Sequence, residues 1–339
     1  MNFQHTIQLL TKLGAFFKHQ AAIQPDVFHK AYIHNNWFTP AYVTKAVSAW
    51  ADELSENRLT KWLQPYAHFQ QGTQKKVAVI MAGNIPMVGL HDLLCVLLCG
   101  HKAVLKLSDD DKVLMTWVIE NLLELDPSLK DRIEISTERL PKDFDVVIAT
   151  GSNNTNRYFE YYFKGKPSLL RKSRTSVAVL TGNETPEDFM KLGADIFTYF
   201  GLGCRNVSKL YVPAGYDVTP FYEGIEPFHE HINHHKYANN YTYHKAILLM
   251  NLSKHLDNDF LLLKEDDKNI ASPLGVMFYE QYNSTAELGQ KLEAHQEQIQ
   301  CVVSKQAFGN NSVPFGKAQE PGLADYADGV DTMKFLLEL

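Results

Sequence analysis

The segment KKVAVIMAGNIPMVGLHDLLCVLLCG, at residues 75–100, decides the fold. Residues 77–81 (VAVIM) form a short apolar run rich in β-branched side chains, which is typical of a buried strand. The Ala82-Gly83-Asn84 that follows indicates a loop, and the apolar residues 90–99 indicate a buried helix ended by Gly100. A strand, a loop and a helix in this order are the repeating unit of a parallel sheet.

The same alternation continues through most of the chain, after a first segment, 1–70, that shows only the spacing of helices. It predicts an α/β fold with a mostly parallel, doubly wound sheet. In such sheets ligands bind outside the carboxyl ends of the strands, so a site is expected at the loops of Asn84, Ser108 and Gly151. The further predicted strands are 103–107, 132–136, 145–149, 177–180, 209–212, 245–250, 276–280 and 300–303, and the further predicted helices are 112–125, 186–200 and 285–298.

Composition and charge restrict the class of protein. With 339 residues the chain is long enough for two domains, and its 45% hydrophobic and 21% charged residues are typical of a globular protein. A net charge of −6 without a basic stripe argues against a nucleic-acid partner. The four cysteines form no C-x-x-C pair and suggest no disulfide framework, which favours a reducing cytoplasm.

The sequence does not predict membrane insertion. Residues 1–20 carry Gln, His, Lys and Thr among their apolar residues, so they do not predict a secretory signal. The most apolar stretch, 77–100, is interrupted by Asn84, His91 and Asp92 and falls short of a membrane span. We therefore expect a soluble, cytoplasmic protein.

One cysteine stands in a glycine-containing loop, Gly201-Leu202-Gly203-Cys204-Arg205, between a predicted helix and a predicted strand. Small neighbours let a ligand approach the backbone, and an adjacent cation favours the nucleophilic thiolate. Taken alone, this loop favours a small buried residue in a turn over a nucleophile. Cys95, Cys99 and Cys301 lie in apolar elements and are expected to be buried and structural.

Short motifs spread along the chain change that balance. Their order resembles the order of motifs in the aldehyde dehydrogenase superfamily, and the helical start and compact length resemble its LuxC-type acyl-CoA reductase branch. The motifs are Met81-Ala82-Gly83-Asn84-Ile85-Pro86, Val104-Leu105-Lys106-Leu107-Ser108-Asp109, Val147-Ile148-Ala149-Thr150-Gly151-Ser152, Phe200-Gly201-Leu202-Gly203-Cys204 and Pro314-Phe315-Gly316-Lys317.

The resemblance implies an aldehyde-dehydrogenase-like fold with three parts. Residues 1–70 would be a helical N-terminal segment. Residues 71–175 would be a Rossmann-like domain for a nicotinamide cofactor, with 304–339 as a candidate to return to it. Residues 176–303 would be a second α/β domain that carries the catalytic residues.

The resemblance also implies an activity. An acyl-CoA, in this branch a fatty acyl thioester, would be reduced to the aldehyde with NADPH or NADH, through an acyl group carried on Cys204. The Cys204 backbone N–H and the Asn84 side-chain amide would hold the oxyanion. Lys106 and Ser108 would contact the adenosine ribose, where a cation and a hydroxyl suit a 2′-phosphate and the acid Asp109 suits a free hydroxyl. The remaining cofactor residues would be Thr150, Gly151 and Ser152, at a helix N-terminus that faces phosphate.

Two departures from the superfamily pattern bear on the reaction. Aldehyde-oxidising members carry a glutamate that activates the hydrolytic water, but the matching segment here, 168–176 (SLLRKSRTS), has no acid. This absence favours reduction of an acyl group, because hydrolysis would waste the acyl-enzyme. A second acid, which holds the nicotinamide ribose, is missing from 271–276 (ASPLGV), and its replacement is not evident from the sequence.

Each of these residues also has a simpler interpretation. Asn84 is suited to cap the helix that follows it, Lys106 to be a solvated cation at a strand end, and 150–152 to be a plain strand-to-helix turn. The tract HEHINHH at 229–235 is a candidate metal site, but its spacing favours a solvated or substrate-side loop, and we expect no metal. A set of aromatic residues is a candidate acyl tunnel, although ordinary packing is favoured. It comprises Phe221, Tyr222, Phe228, Tyr237, Tyr241 and Tyr243.

Other functions remain open at this point. The nearest is a reductase of an acyl phosphate or another activated carboxylate. A different class is a non-catalytic protein that binds CoA or docks an acyl-transferring partner. The family resemblance implies a homo-oligomer, without the number of subunits.

Overall fold

The computed structural model describes residues 3–69, 72–137, 141–309 and 311–339, leaving aside the side chains of Phe3 and Asn153. The chain divides into two compact units. The first comprises Met1–Ser173 and Gly322–Leu339, and the second comprises Arg174–Pro321.

The first unit opens with helices, as the apolar spacing predicts. Their buried residues, among them Leu13, Phe17 and Val47, belong to one hydrophobic core that also takes in Val77 of the sheet and Met333 near the C-terminus. The N-terminal helices therefore complete the core of this unit. They are α1 (Phe3–Ile23), α2 (Asp26–His34), α3 (Pro40–Glu53) and α4 (Glu56–Leu63).

The sheet of the first unit is entirely parallel. Its strands are β1 (Lys76–Ile80), β2 (Lys102–Lys106), β3 (Ile133–Ile135), β4 (Val146–Thr150) and β5 (Ser168–Arg171). The order β3-β2-β1-β4-β5 reverses direction between β1 and β4, and ligands of doubly wound sheets bind at such a switch point. The helices that connect or cover the strands are α5 (Leu90–Leu98), α6 (Lys112–Leu125), α7 (Asn153–Tyr162) and, from the C-terminal segment, α12 (Thr332–Leu337).

The second unit is built on a larger sheet with the order β12-β11-β6-β7-β10-β9-β8, in which the described strand pairs are parallel except for β8–β9, which is antiparallel. Its strands are β6 (Thr175–Val179), β7 (Val207–Pro213), β8 (Leu256–Asp257), β9 (Leu262–Glu265), β10 (Val276–Tyr282), β11 (Ile299–Val303) and β12 (Ser312–Val313). Its helices are α8 (Pro186–Phe197), α9 (Thr219–Ile225), α10 (His235–Met250) and α11 (Thr285–Ala294).

Three predicted elements differ from the structure in kind or by more than two residues at one end. The predicted strand at 245–250 is wrong, because these residues are the last turns of α10, where Leu248 is buried while Leu249 and Met250 are exposed. An apolar run of this length has no period that distinguishes a strand from the end of a helix. The helices predicted at 186–200 and 285–298 end earlier, at Phe197 and Ala294.

A buried ion pair lies inside the first unit. Arg171, at the end of β5, donates through Nη1 to Asp92 Oδ2 on α5 at 2.5 Å and through Nη2 to Thr332 Oγ1 on α12 at 2.8 Å. Arg171 and Asp92 are each more than nine-tenths buried. This pair therefore ties a sheet edge, a central helix and the C-terminal helix together.

We expect Arg171→Met to lower the free energy of unfolding by about 3–5 kcal/mol, because it leaves the Asp92 carboxylate buried without its counter-charge. Urea unfolding followed by circular dichroism measures the change. The matched double variant Asp92→Leu with Arg171→Met removes both charges and should lose less than the single variant. A double variant that is as unstable as Arg171→Met would show that the lost charge balance is not the cause.

Candidate active site

The predicted site loops of the first unit meet at the carboxyl ends of β1 and β2. A Cβ atom at Gly83, in the loop after β1, would overlap Oγ and Cβ of Ser108, in the loop after β2. Only glycine allows this approach, which places Ser108 against the loop that carries Asn84. Asn84 itself is exposed.

The buried Asp111 stabilises the loop after β1 by a hydrogen bond to its backbone. Its Oδ2 accepts the backbone N–H of Met87 at 2.9 Å, and Met87 has a left-handed φ of 59°. Burial raises the pKa of the Asp111 carboxyl well above its usual range. The N-cap of α5 is Gly89, so the interpretation of Asn84 as the cap of this helix is wrong.

The end of β2 carries the predicted contacts of the adenosine ribose. Lys106 is the last residue of β2 and Ser108 follows it, and both are half-buried. The next turn is fixed by α2, since His34 Nε2 lies 2.6 Å from the carbonyl oxygen of Asp109 and Asn35 Nδ2 donates to that of Asp110 at 3.3 Å. Lys106 and Ser108 therefore directly precede a turn whose backbone is held by hydrogen bonds from His34 and Asn35.

The turn Thr150-Gly151-Ser152 joins β4 to α7. Ser152 is the N-cap of α7, and its Oγ accepts the N–H of Thr155 at 3.2 Å. The buried Asn156 donates through Nδ2 to the carbonyl oxygens of Gly151 at 3.0 Å and Arg171 at 2.7 Å. The turn thus has a structural cap, and it also places the N-terminus of α7 at the switch point of the sheet.

Cys204 lies in the second unit, between α8 and β7. The helix ends at Phe197, and Tyr199, Phe200 and Gly201 then adopt left-handed φ values of 54°, 56° and 81°. Cys204 is exposed, whereas the other three cysteines are buried as predicted. The interpretation of Cys204 as a small buried residue is therefore wrong.

Two further motifs flank this loop within the second unit. The Pro-Phe-Gly segment is fixed to α8 by the buried Asp195, whose Oδ2 and Oδ1 accept the N–H groups of Gly316 at 2.6 Å and Ala318 at 2.9 Å. The Nε of Arg205 donates to the carbonyl oxygen of Ala318 at 2.5 Å. On the other side, a Cβ at Gly201 would lie 3.5 Å from Leu274, within the segment where the ribose acid is missing.

The histidine tract is helical and not the loop that its spacing favours: Glu226–Asn233 forms a 3-10 helix. The ring of His231 lies 5.2 Å from that of Phe197 and 5.4 Å from that of Phe200, and burial lowers its pKa. Within the described ranges, no group of three His, Cys, Asp or Glu side chains is arranged to hold a metal ion.

The aromatic residues proposed as an acyl tunnel do not share one environment. Phe221 and Tyr237 are fully buried in the core, whereas Tyr243 is 61% exposed. Ordinary packing accounts for the buried members.

Across the part of the chain that the structure describes, no helix is long and apolar enough to cross a membrane.

The sequence analysis did not identify the buried polar residues that bond the backbone around Cys204 and the end of α8. Ser176, fully buried in β6, donates through Oγ to the carbonyl oxygen of Cys204 at 3.1 Å and accepts the N–H of Cys301 at 3.2 Å. Asn206 and Asp195 are likewise buried. Asp195, a polar residue among the apolar residues at the end of α8, was the available signal, but its partners Gly316 and Ala318 are 121 and 123 residues away in the sequence.

Several solved structures of aldehyde dehydrogenases superpose on this chain. Aldehyde dehydrogenase 21 from Physcomitrella patens, solved with the reaction product succinate, superposes with a TM-score of 0.70 at 12% identity, covering 100% of this chain and 84% of that chain. An aldehyde dehydrogenase from Mycobacterium tuberculosis, complexed with NAD+, gives a TM-score of 0.64 at 12% identity, with coverages of 90% and 73%. The chain therefore has the aldehyde dehydrogenase fold, and the predicted fold class is confirmed.

The family follows from the sequence. The family described as acyl-CoA reductase (LuxC) matches residues 45–221, which is just over half of the chain. The chain belongs to this family, which confirms the resemblance drawn from the motifs. No curated protein matches the sequence significantly.

The pH dependence of stability tests whether the buried Asp195 carboxyl has a raised pKa. Burial raises the pKa of this carboxyl to about 7, although two backbone N–H groups bond to it. The pKa of this carboxyl is about 4 in an unfolded chain, so the folded state stays protonated up to a higher pH than the unfolded state. The contribution of Asp195 to the free energy of unfolding therefore falls as the pH rises from about 4 to about 7.

We therefore expect the melting temperature of the wild type, minus that of Asp195→Asn, to decrease between about pH 5 and about pH 7 and to level off above about pH 8. Calorimetry of both proteins in matched buffers measures this difference, and the subtraction removes the titration of all other groups. A difference that stays constant over this range would contradict the raised pKa.

Proposed function

We propose that this protein reduces an acyl-CoA thioester, in particular a fatty acyl-CoA, to the aldehyde with NADPH or NADH, through an acyl-enzyme on Cys204. The observation that carries the proposal is the exposed thiol of Cys204 on a loop of fixed backbone, in a chain of the acyl-CoA reductase family. The NAD+ bound to the Mycobacterium tuberculosis enzyme of the same fold supports the choice of cofactor.

In the proposed reaction Cys204 is the nucleophile. Its thiolate attacks the thioester carbonyl, the carbon–sulfur bond to coenzyme A breaks, and coenzyme A leaves as the thiolate, so that the acyl group is now bound to Cys204. A nicotinamide cofactor bound to the first unit would supply the hydride that reduces this acyl group. The aldehyde then leaves as its carbon–sulfur bond breaks, and the Cys204 thiolate is restored.

The backbone of the loop favours the Cys204 N–H as an oxyanion donor. The carbonyl oxygen of Gly203 accepts the N–H of Asn206 at 3.1 Å. The C=O and N–H of a trans peptide point in opposite directions, so the N–H of Cys204 is directed away from Asn206. A donor on the outer side of the loop is suited to stabilise negative charge on the carbonyl oxygen of a substrate bound to Cys204. The role of Asn84 rests on the family resemblance.

The direction of the reaction is supported by the segment 168–176. It forms β5 and the start of β6, and its buried cation, Arg171, is paired with Asp92. The segment contains no carboxylate to activate a hydrolytic water. Without such an acid in this segment, reduction of the acyl-enzyme to the aldehyde is favoured over its hydrolysis.

Residues of the first unit fit a dinucleotide. The strand order reverses between β1 and β4, and the N-terminus of α7 follows the end of β4. Position 83, in the loop after β1, has room only for glycine. Lys106 and Ser108 would hold the adenosine ribose, and Thr150, Gly151 and Ser152 would face the cofactor phosphates.

The nucleophile is tested by mass spectrometry after mixing the protein with a fatty acyl-CoA in the absence of cofactor. We expect the mass of one acyl group on the peptide that contains Cys204, and we expect Cys204→Ser to lose both this mass and NAD(P)H oxidation. Cys99→Ala is the matched control, since burial raises the pKa of that thiol above its usual range and keeps it unreactive. Full activity of Cys204→Ser would refute the mechanism, and reduction of acyl phosphate alone would change the substrate class.

The cofactor site is tested by titrating the protein with NADPH and NADH and following nucleotide fluorescence. We expect Lys106→Ala to weaken NADPH binding by about tenfold and NADH binding by less, because the cation would meet the 2′-phosphate. Lys102→Ala is the control, since Lys102 stands at the opposite end of the same strand and pairs with Glu134. Equal losses for the two nucleotides would contradict a 2′-phosphate contact.

A further inference from the structure

Asn206 joins the end of α8 to the loop of Cys204. It is 2% exposed, and its Nδ2 donates to the carbonyl oxygens of Asp195 at 3.1 Å, Ile196 at 3.1 Å and Thr198 at 2.8 Å. Its Oδ1 accepts the backbone N–H of Gly203 at 2.8 Å. The surroundings fix the orientation of the amide, because three acceptors face its nitrogen and a donor faces its oxygen.

The end of α8 requires such a donor. The last carbonyl groups of a helix have no partner four residues further along the chain. Here the chain leaves the helix through Tyr199 and Phe200, two residues with left-handed φ and large side chains, a conformation that needs support from its surroundings. The amide of Asn206 provides it, since it bonds the carbonyls on the helical side of this turn.

The same residue fixes the backbone on both sides of the turn. Gly203 is bonded twice, by its N–H to Asn206 Oδ1 and by its carbonyl oxygen to the Asn206 N–H at 3.1 Å. The carbonyl oxygen of Cys204 accepts from Ser176 Oγ. The peptide planes before and after Cys204 are therefore set by buried partners, while its thiol is exposed.

We infer that Asn206 is a positioning residue for the Cys204 nucleophile. Its amide couples the end of α8 to Gly203 and thereby fixes the direction of the Cys204 N–H and of the Cα–Cβ bond that carries the thiol. This inference rests on the proposed function, in which that thiol and that N–H act on the same acyl carbonyl. Removing the amide would leave a thiol that is still exposed but is no longer aligned for acyl transfer.

Two reactions of the same thiol separate alignment from exposure. Alkylation by iodoacetamide needs an accessible thiolate, whereas acylation by a fatty acyl-CoA also needs the oxyanion donor in place. We expect Asn206→Ala to slow Cys204 acylation, followed as coenzyme A release in a single turnover, by about 10- to 100-fold. The alkylation rate of Cys204 should change by less than about threefold, and kcat should fall with little change in KM.

Asn206→Asp provides the second variant. It keeps the size of the side chain and an acceptor for the Gly203 N–H, but it turns a carboxylate oxygen towards the three carbonyl groups. We expect it to lose acylation as Asn206→Ala does. Ser284→Ala is the control for general destabilisation, since it removes the N-cap of α11 in the same unit and should lower the melting temperature without changing either rate.

The outcomes are distinct. Acylation of either Asn206 variant at the wild-type rate would overturn the positioning role, and so would acylation and alkylation falling together in proportion to the folded fraction. Failure of both variants to fold would overturn it as well, because the amide would then serve the whole unit. Absence of acyl mass on wild-type Cys204 would instead refute the proposed function on which the inference rests.

Discussion

Backbone groups at buried chain reversals need hydrogen-bond partners, and this requirement shapes both units. In the first unit, Asn156 bonds the carbonyl groups of Gly151 and Arg171 beside the turn after β4. In the second unit, Asn206 bonds the carbonyl groups at the end of α8. A side-chain amide serves both places because it carries two donors and an acceptor in one plane. Each reversal lies beside residues that carry the proposed chemistry.

Buried carboxyl groups do the complementary work, since they accept N–H groups that no strand or helix satisfies. Asp111 accepts from Met87 in the loop after β1, and Asp195 accepts from Gly316 and Ala318 in the Pro-Phe-Gly segment. Burial raises the pKa of both carboxyls. These loops are thus held at some electrostatic cost, which is reasonable where a loop must keep one conformation for a ligand.

Local patterns predicted most of the strands of the two sheets, but not β5, β8, β9 and β12. The helix at 112–125 has the predicted ends, and β1 and β2 differ from the prediction by one residue at each end, because β-branched runs and glycine-bounded loops are short-range signals. The predicted strand at 245–250 was wrong because a short apolar run is compatible both with a strand and with the last turns of a helix such as α10. The hydrogen bonds that hold the site loops could not be predicted for a different reason. Asp195 and its partner Gly316 are 121 residues apart, and no local pattern predicts that pairing.

The four cysteines show why an ordered scaffold and an exposed thiol belong together. Burial raises the pKa of the Cys95 and Cys99 thiols, so they stay neutral and act as small apolar residues. Cys204 differs in that its side chain is exposed while the peptide groups around it are bonded to the buried Ser176 and Asn206. A nucleophile needs solvent or substrate at its sulfur and a fixed direction of attack. The left-handed turn of Tyr199 and Phe200 is the conformational cost of meeting both needs, because it carries the chain from a buried helix to an exposed cysteine and back into β7 within a few residues.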